Sequence, residues 1–161
     1  MGDEYIKIES LLFPGTNPDL KKVEEYINKT FKEEYIVRES QDIIRIGSKF
    51  SSEYCGSLYT KKLRGALLKA KANAVQALPD LIVSAKNKRW NENKAEKHIR
   101  NASKGWFRYD VKFSIPVYDN FGKQIHENIY SATLVARIND EGIFLYDMIN
   151  IKKEASKPFE S

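Results

Sequence analysis

Three runs in the last third of the chain alternate between apolar and polar residues, and this pattern restricts the fold more than any other feature. The runs are WFRYDVKFSIPVYD (106–119), NIYSATLVARI (128–138) and IFLYDMINIKK (143–153). Because neighbouring side chains of a β-strand point to opposite sides, each run predicts a strand with one packed side and one polar side. Three such strands in succession predict an antiparallel sheet.

The two sides of the first run differ in chemistry. Its apolar side holds Phe107, Tyr109, Val111, Phe113, Ile115 and Val117. Its polar side holds Arg108, Asp110, Lys112 and Ser114. The polar side of the second run holds Ser131, Thr133 and Arg137. In the third run both sides carry apolar residues, so the side on which Tyr146 lies stays open. We therefore expect one packed face and one polar, partly cationic face.

Upstream of the sheet, the spacing of apolar residues predicts helices. A first stripe runs to Phe31, with Asn17 as the cap and Pro18 as the first helical residue. A second stripe covers residues 61–86 and is divided at Pro79. The segment KAEKHIR (94–100) predicts a short basic helix that leads into the sheet.

The remaining segments complete the expected fold. Residues 35–46 predict a strand pair or one long strand around a turn near residues 39–42, and the Ser-rich segment 50–59 predicts a loop. The sequence thus predicts an α+β fold, with N-terminal helices followed by a curved antiparallel sheet of about four strands. We expect residues 1–49 to form an extension packed on a main domain of residues 50–161.

The net charge of +5 is distributed unevenly along the chain. Residues 1–50 carry 8 Lys and Arg against 10 Asp and Glu, a balance of −2, whereas residues 51–161 carry 19 against 12, a balance of +7. A basic excess of this kind is typical of a polyanionic partner such as RNA, because Lys and Arg that neutralise phosphates release counterions. The alternative is that the charge serves solubility alone.

Cysteine content and hydropathy exclude several classes of protein. Cys55 is the single cysteine, so neither an intrachain disulfide nor a cysteine-based zinc cluster can form. No apolar run is long enough to span a bilayer, and the acidic start lacks the features of a signal peptide. We expect a cytoplasmic protein without metal or cofactor, with delivery into a target cell as an open alternative.

Four segments resemble a known family. They are KAKANAVQALPDLI (69–82), KHIRNASKGWFRYDVKFSIPVYD (97–119), YSATLVARI (130–138) and FLYDMINIKKEASKPFES (144–161). They are similar to a domain of large polyvalent proteins of phages and conjugative elements, within the barnase/EndoU/colicin/RelE-like nuclease superfamily. The resemblance covers about residues 50–161. It implies a barnase/EndoU/RelE-like sheet, a metal-independent ribonuclease acting as a toxin or host-takeover effector, and an acidic immunity or antitoxin protein as partner.

Cleavage of RNA without metal requires proton transfer and donors to the phosphate, and the chain offers candidates for both. We expect His98 to act as general acid or base and Arg108 to bind the scissile phosphate. Ser131 and Thr133 are further donors, and Tyr146 donates a proton or stacks on a base. Asp147 would orient a neighbour. Lys94, Lys97, Arg100 and Lys112 would bind the RNA backbone, with tRNA as one candidate substrate.

Each assignment has a structural alternative. A lone histidine on a helix is often a surface or core residue, and Arg108 and Asp110 could form a structural ion pair. His126, beside a hairpin turn, is expected to be exposed. At the level of the chain, a catalytically silent module that binds nucleic acid or protein stays open, as does a structural segment of a larger phage or conjugation protein.

Overall fold

The computed structural model describes residues 4–31, 33–92 and 102–159, and their strands form one sheet. The seven strands are β1 (Ile6–Lys7), β2 (Glu34–Ile36), β3 (Ile43–Arg45), β4 (Lys86–Asn91), β5 (Trp106–Tyr118), β6 (Gln124–Asn139) and β7 (Gly142–Pro158). Their order is β1-β5-β6-β7-β3-β2, and β4 also pairs with β5. The three long strands at the centre are those that the alternating runs predict.

Helices lie before β2 and between β3 and β4. They are α1 (Leu20–Thr30), α2 (Phe50–Gly56), α3 (Leu58–Lys62), α4 (Gly65–Ala74) and α5 (Leu78–Ser84), with a 3-10 turn (Val75–Ala77) before α5. Asp19, not Asn17, caps α1, because its carboxylate accepts a hydrogen bond from the Lys21 amide at 3.0 Å. Pro79 falls in the first turn of α5, where its missing N–H is tolerated.

The expected fold class is wrong in the number, order and direction of the strands. The sheet has seven strands rather than about four, and three of them precede the helices α2–α5. It is mixed, because β1 runs parallel to β5 and β3 parallel to β7. The physical reason is length: strands of two or three residues are too short to show alternation, and their pairing is set by distant partners.

Two local expectations also differ from the structure. The segment 50–59 is helical rather than a loop, because Phe50 and Tyr54 lie one turn apart and both are buried. The segment KNKRWN, for which the sequence predicts no strand, is strand β4. This strand lies at the sheet edge, and most of its side chains are exposed. Its residues are therefore mostly polar on both sides and show no apolar alternation that would predict a strand.

One face of the sheet, which we call the covered face, packs on the helices. The apolar side of β5 lies there as predicted: Tyr109, Val111, Phe113 and Ile115 are buried in the core. The same core includes Ile8, Val23, Ile27 and Ile44 from the first 49 residues. No helix among the described residues combines the length and apolar character needed to cross a lipid bilayer.

Candidate nucleic-acid interface

The polar side of β5 forms, with β6 and β7, the opposite surface, which we call the open face. Asp110 pairs in register with Thr133, and Lys112 pairs with Ser131. Ser131 pairs in turn with Lys152 of β7. Residues in register on neighbouring strands share a face, so three predicted site residues, Lys112, Ser131 and Thr133, lie side by side.

Arg108 lies on the same face, one pair further along β5, opposite Val135. Its side chain is half-buried, and Nε is buried without a hydrogen-bond partner. No hydrogen bond or ion pair joins Arg108 to another residue that the structure describes. A cation held in this way loses hydration without compensation from a carboxylate. The described residues therefore provide no anionic partner for Arg108, and its guanidinium can bind an anionic ligand.

Asp110 does not neutralise Arg108. Its Oδ1 lies 2.9 Å from Nη2 of Arg89 on β4, and its Oδ2 accepts a hydrogen bond from Asn87 Nδ2 at 2.9 Å. The structural ion pair between Arg108 and Asp110, left open by the sequence, is thus replaced by a pair between Arg89 and Asp110. Arg89 and Arg108 are opposite each other on β4 and β5. Of these two arginines, Arg89 forms the ion pair with Asp110.

Tyr146 lies next to Trp106, with ring centroids 5.1 Å apart and the rings inclined by 65°. Burial raises the pKa of Tyr146, and the carboxylates of Asp147 and Glu53 raise it further. The hydroxyl therefore stays protonated and can donate a hydrogen bond, but it is a poor base. Asp147 is buried and accepts a hydrogen bond from Lys71.

A cleft of about 1070 Å³ is lined by Asp110, Lys112, Ser131 and Thr133 of the open face. It opens along the edge of β5 between β4, which pairs up to Asp110, and β1, which begins to pair at Phe113. Its charged lining residues are Glu4, Lys7, Lys86, Asp110 and Lys112, and Ser131 and Thr133 line it too. The cleft therefore combines cations from three strands with hydroxyl groups.

Two residues of the cleft lining adopt left-handed backbone conformations. Asn87 has φ 59° and Asn150 has φ 54°. Asparagine tolerates this region better than most residues, because its short side chain bonds to nearby backbone. Such positions cluster at binding sites, and here both occur where β4 and β7 depart from regular strand geometry.

The two hydroxyl candidates differ in what they offer. Ser131 Oγ donates a hydrogen bond to Glu154 Oε1 at 2.6 Å. Thr133 is buried, although it lines the cleft. The hydroxyl of Ser131 can bind an anion only if its proton turns away from Glu154.

The predicted helix 94–100 lies outside the described residues, and with it Lys94, Lys97, His98 and Arg100. That segment connects Glu92, after β4, to Ala102, before β5. His126 is exposed on β6, as predicted.

Sequence analysis missed Lys86, Arg89 and Lys152 as members of this surface. The alternation of lysine and asparagine in KNKRWN is a weak signal for β4. For Lys152 no local signal exists, because irregularities in the pairing of β6 and β7 set the side to which it points.

No group of three or more His, Cys, Asp or Glu side chains in the described part of the chain is placed to hold a metal ion. Comparisons with protein-family models, curated proteins and solved structures found no match to this chain.

Proposed function

We propose that this protein is a metal-independent endoribonuclease that binds RNA on the open face. The observation that carries the proposal is Arg108, a half-buried guanidinium that pairs with no carboxylate among the described residues. It shares the open face with Lys112, Ser131 and Thr133, which come from two strands held in register. A phosphate diester would satisfy the guanidinium in bidentate fashion.

In the proposed reaction the ribose 2′-oxygen loses its proton and attacks phosphorus, while the bond to the 5′-oxygen breaks. The products are a 2′,3′-cyclic phosphate and a 5′-hydroxyl. His98 donates the proton to the leaving oxygen. Asp110, which is exposed on the open face, accepts the proton from the 2′-hydroxyl. Arg108 stabilises the charge that develops on the phosphoryl oxygens.

The sequence resemblance supports cleavage over binding alone, since the strings that carry His98 and Arg108 are similar to nuclease sequences. The same resemblance makes a toxin or host-takeover effector of a mobile element our proposal for the biological role. An acidic immunity or antitoxin protein that covers the open face would then protect the producing cell.

The direct test is incubation of the purified protein with total RNA in EDTA, followed by mapping of the new ends. We expect cleavage with cyclic-phosphate or 3′-phosphate ends. Arg108→Ala should abolish cleavage, whereas Arg89→Ala, at the neighbouring position in register, should retain most of it. Cleavage that requires magnesium and leaves 3′-hydroxyls, or an Arg108→Ala protein as active as the parent, would contradict the proposal.

A second pair of variants tests the proton donor. His98→Ala should lower cleavage by roughly 10²–10⁴-fold, the usual range for general acid–base groups, without loss of RNA binding. His126→Ala should be silent, because this histidine is exposed on β6. Equal activity of the two variants would remove His98 from the mechanism.

One observation favours a second candidate function, a binding module without catalysis. Ser131 is bonded to Glu154 and Asp110 to Arg89, so two of the proposed catalytic groups already have protein partners. Such a module would bind RNA and lose affinity in Arg108→Ala, but would leave the RNA intact. It would also be harmless when expressed, whereas a nuclease should stop growth.

A further inference from the structure

We infer that the open face carries a second phosphate-binding site, formed by Lys112, Ser131 and Lys152, which holds a different phosphate of the RNA from the one at Arg108. This inference rests on the proposed binding of RNA and adds the substrate class. The ligand is an extended oligonucleotide with several phosphates, rather than a mononucleotide or a free phosphate ion.

The three residues form a row across the sheet. Lys112 of β5 is in register with Ser131 of β6, and Ser131 is in register with Lys152 of β7. Adjacent strands lie about 4.8 Å apart, so the two lysines flank the serine at a separation of roughly 10 Å between their backbones. Their long side chains can therefore converge on one anion above the hydroxyl.

The row is separate from Arg108. Lys112 follows Arg108 by four residues on the same strand, which places the two positions about 13 Å apart at the usual rise of a strand. The pair Asp110 and Thr133 lies between them, and its carboxylate faces the same surface. One phosphate cannot bridge this distance, and the intervening negative charge favours two separate phosphates with the nucleoside between them.

The charged residues at the row leave room for an anion, although one carboxylate already contacts the serine. Lys152 is exposed, and no hydrogen bond or ion pair joins it to another described residue. Glu154 Oε1 accepts a hydrogen bond from the Ser131 hydroxyl and so occupies the position that a phosphate oxygen would take. An incoming phosphate must compete with this carboxylate. Neutralising Glu154 should therefore strengthen the binding of RNA, which is the opposite of what a structural role predicts.

Lys153 provides a matched control for Lys152. The two lysines are adjacent and both are exposed, but neighbouring residues of a strand point to opposite sides. Lys153 is in register with Tyr130, whose ring is buried in the core on the covered face. Any effect of net charge alone should be the same at the two positions.

The experiment measures binding of a 2′-O-methyl oligonucleotide, which cannot be cleaved by 2′-hydroxyl attack, by fluorescence anisotropy over a range of salt concentrations. Lys152→Ala should weaken binding several-fold and reduce the slope of log affinity against log salt by about one. Lys153→Ala should change the affinity by no more than about two-fold, the scale of a distant surface charge, and should leave the slope unchanged. Glu154→Gln should raise affinity several-fold, and its hydrogen bond to Ser131 can persist.

The outcomes separate this inference from the proposed function. Equal effects of Lys152→Ala and Lys153→Ala, or no gain in Glu154→Gln, would overturn the second site even if Arg108→Ala abolishes binding. Loss of affinity in Lys152→Ala with no loss in Arg108→Ala would support the row and overturn the role of Arg108. Absence of RNA binding by the parent protein would overturn both. Circular dichroism of each variant excludes unfolding as the cause.

Discussion

A basic side chain in the core and one on the open face differ in the partners that the fold provides for them. On the covered face, Lys71 of α4 is 1% exposed, and its Nζ lies 2.6 Å from Asp147 Oδ1. It also donates to Thr60 Oγ1 and faces the rings of Tyr54 and Tyr59. On the open face, the buried Nε of Arg108 has no hydrogen-bond partner.

The difference separates a structural charge from a candidate functional one. Burial lowers the pKa of Lys71 and raises that of Asp147, while their mutual attraction opposes both shifts. The pair is tolerated in the core because each member satisfies the other. Arg108 has no such compensation from the described residues, and it lies on the open face two positions before Asp110, a residue of the cleft lining. A partly desolvated cation without a carboxylate partner favours the binding of an anionic ligand.

The largest expected effect follows from removal of the buried lysine. Lys71→Met leaves Asp147 buried without its partner, so the free energy of unfolding should fall by about 3–5 kcal/mol. Urea denaturation followed by circular dichroism measures the loss. If the single variant is too unstable to purify, Lys71→Met combined with Asp147→Leu still tests the idea. The double variant should recover most of the stability, since it removes both charges together. A double variant no better than the single one would contradict this account.

An intermediate effect is expected at Asp42, on the rim of the covered face. Its carboxylate accepts hydrogen bonds from Tyr109 at 2.8 Å and from Lys88 at 3.0 Å. Burial acts to raise the pKa of Asp42, but the hydrogen bonds from Lys88, Tyr109 and Ser40 together outweigh it, and the net shift is downward. The folded state therefore binds the proton less tightly than the unfolded chain. The stabilisation is present above the unfolded pKa of about 3.9 and is lost as pH falls through the lower folded value.

Asp42→Asn should cost about 1.5–3 kcal/mol at neutral pH, the range for hydrogen bonds to charged groups, and should flatten the fall in stability below pH 4. Unfolding by urea at a series of pH values measures both effects. Asp110→Asn, on the open face, is the control and should change stability by less than about 1 kcal/mol, because its ion pair with Arg89 is exposed. Equal losses in the two variants would remove the distinction between the faces.

The smallest expected effect on stability is that of Arg108→Met. This change removes a half-buried cation without a partner among the described residues and replaces its aliphatic stem with an unbranched apolar side chain. We expect the free energy of unfolding to change by no more than about 0.5 kcal/mol, or to rise. Thermal unfolding measures it, and RNA affinity measured on the same sample should fall. A loss of 2 kcal/mol or more would place Arg108 among the structural charges.

Local periodicity explains what could be predicted. The alternation in 106–119 and 128–138 was sufficient to predict β5 and β6, the burial of Tyr109 and the shared side of Arg108 and Lys112. Of the two alternatives left open for 35–46, the structure has the strand pair, β2 and β3. These features depend on residues close in sequence, whose side chains obey the period of their own strand.

Other features depend on partners that are distant in sequence, and the tertiary structure alone decided them. The parallel pairing of β1 with β5, the ion pair of Asp110 with Arg89 and that of Asp147 with Lys71 each join segments that no local pattern connects. The place of Lys152 beside Ser131 required the irregular register of β6 and β7. By itself the sequence determined which side chains share a strand face, because that follows from backbone geometry. Which of those side chains are neutralised, and which remain for a ligand, depends on charges brought together by folding.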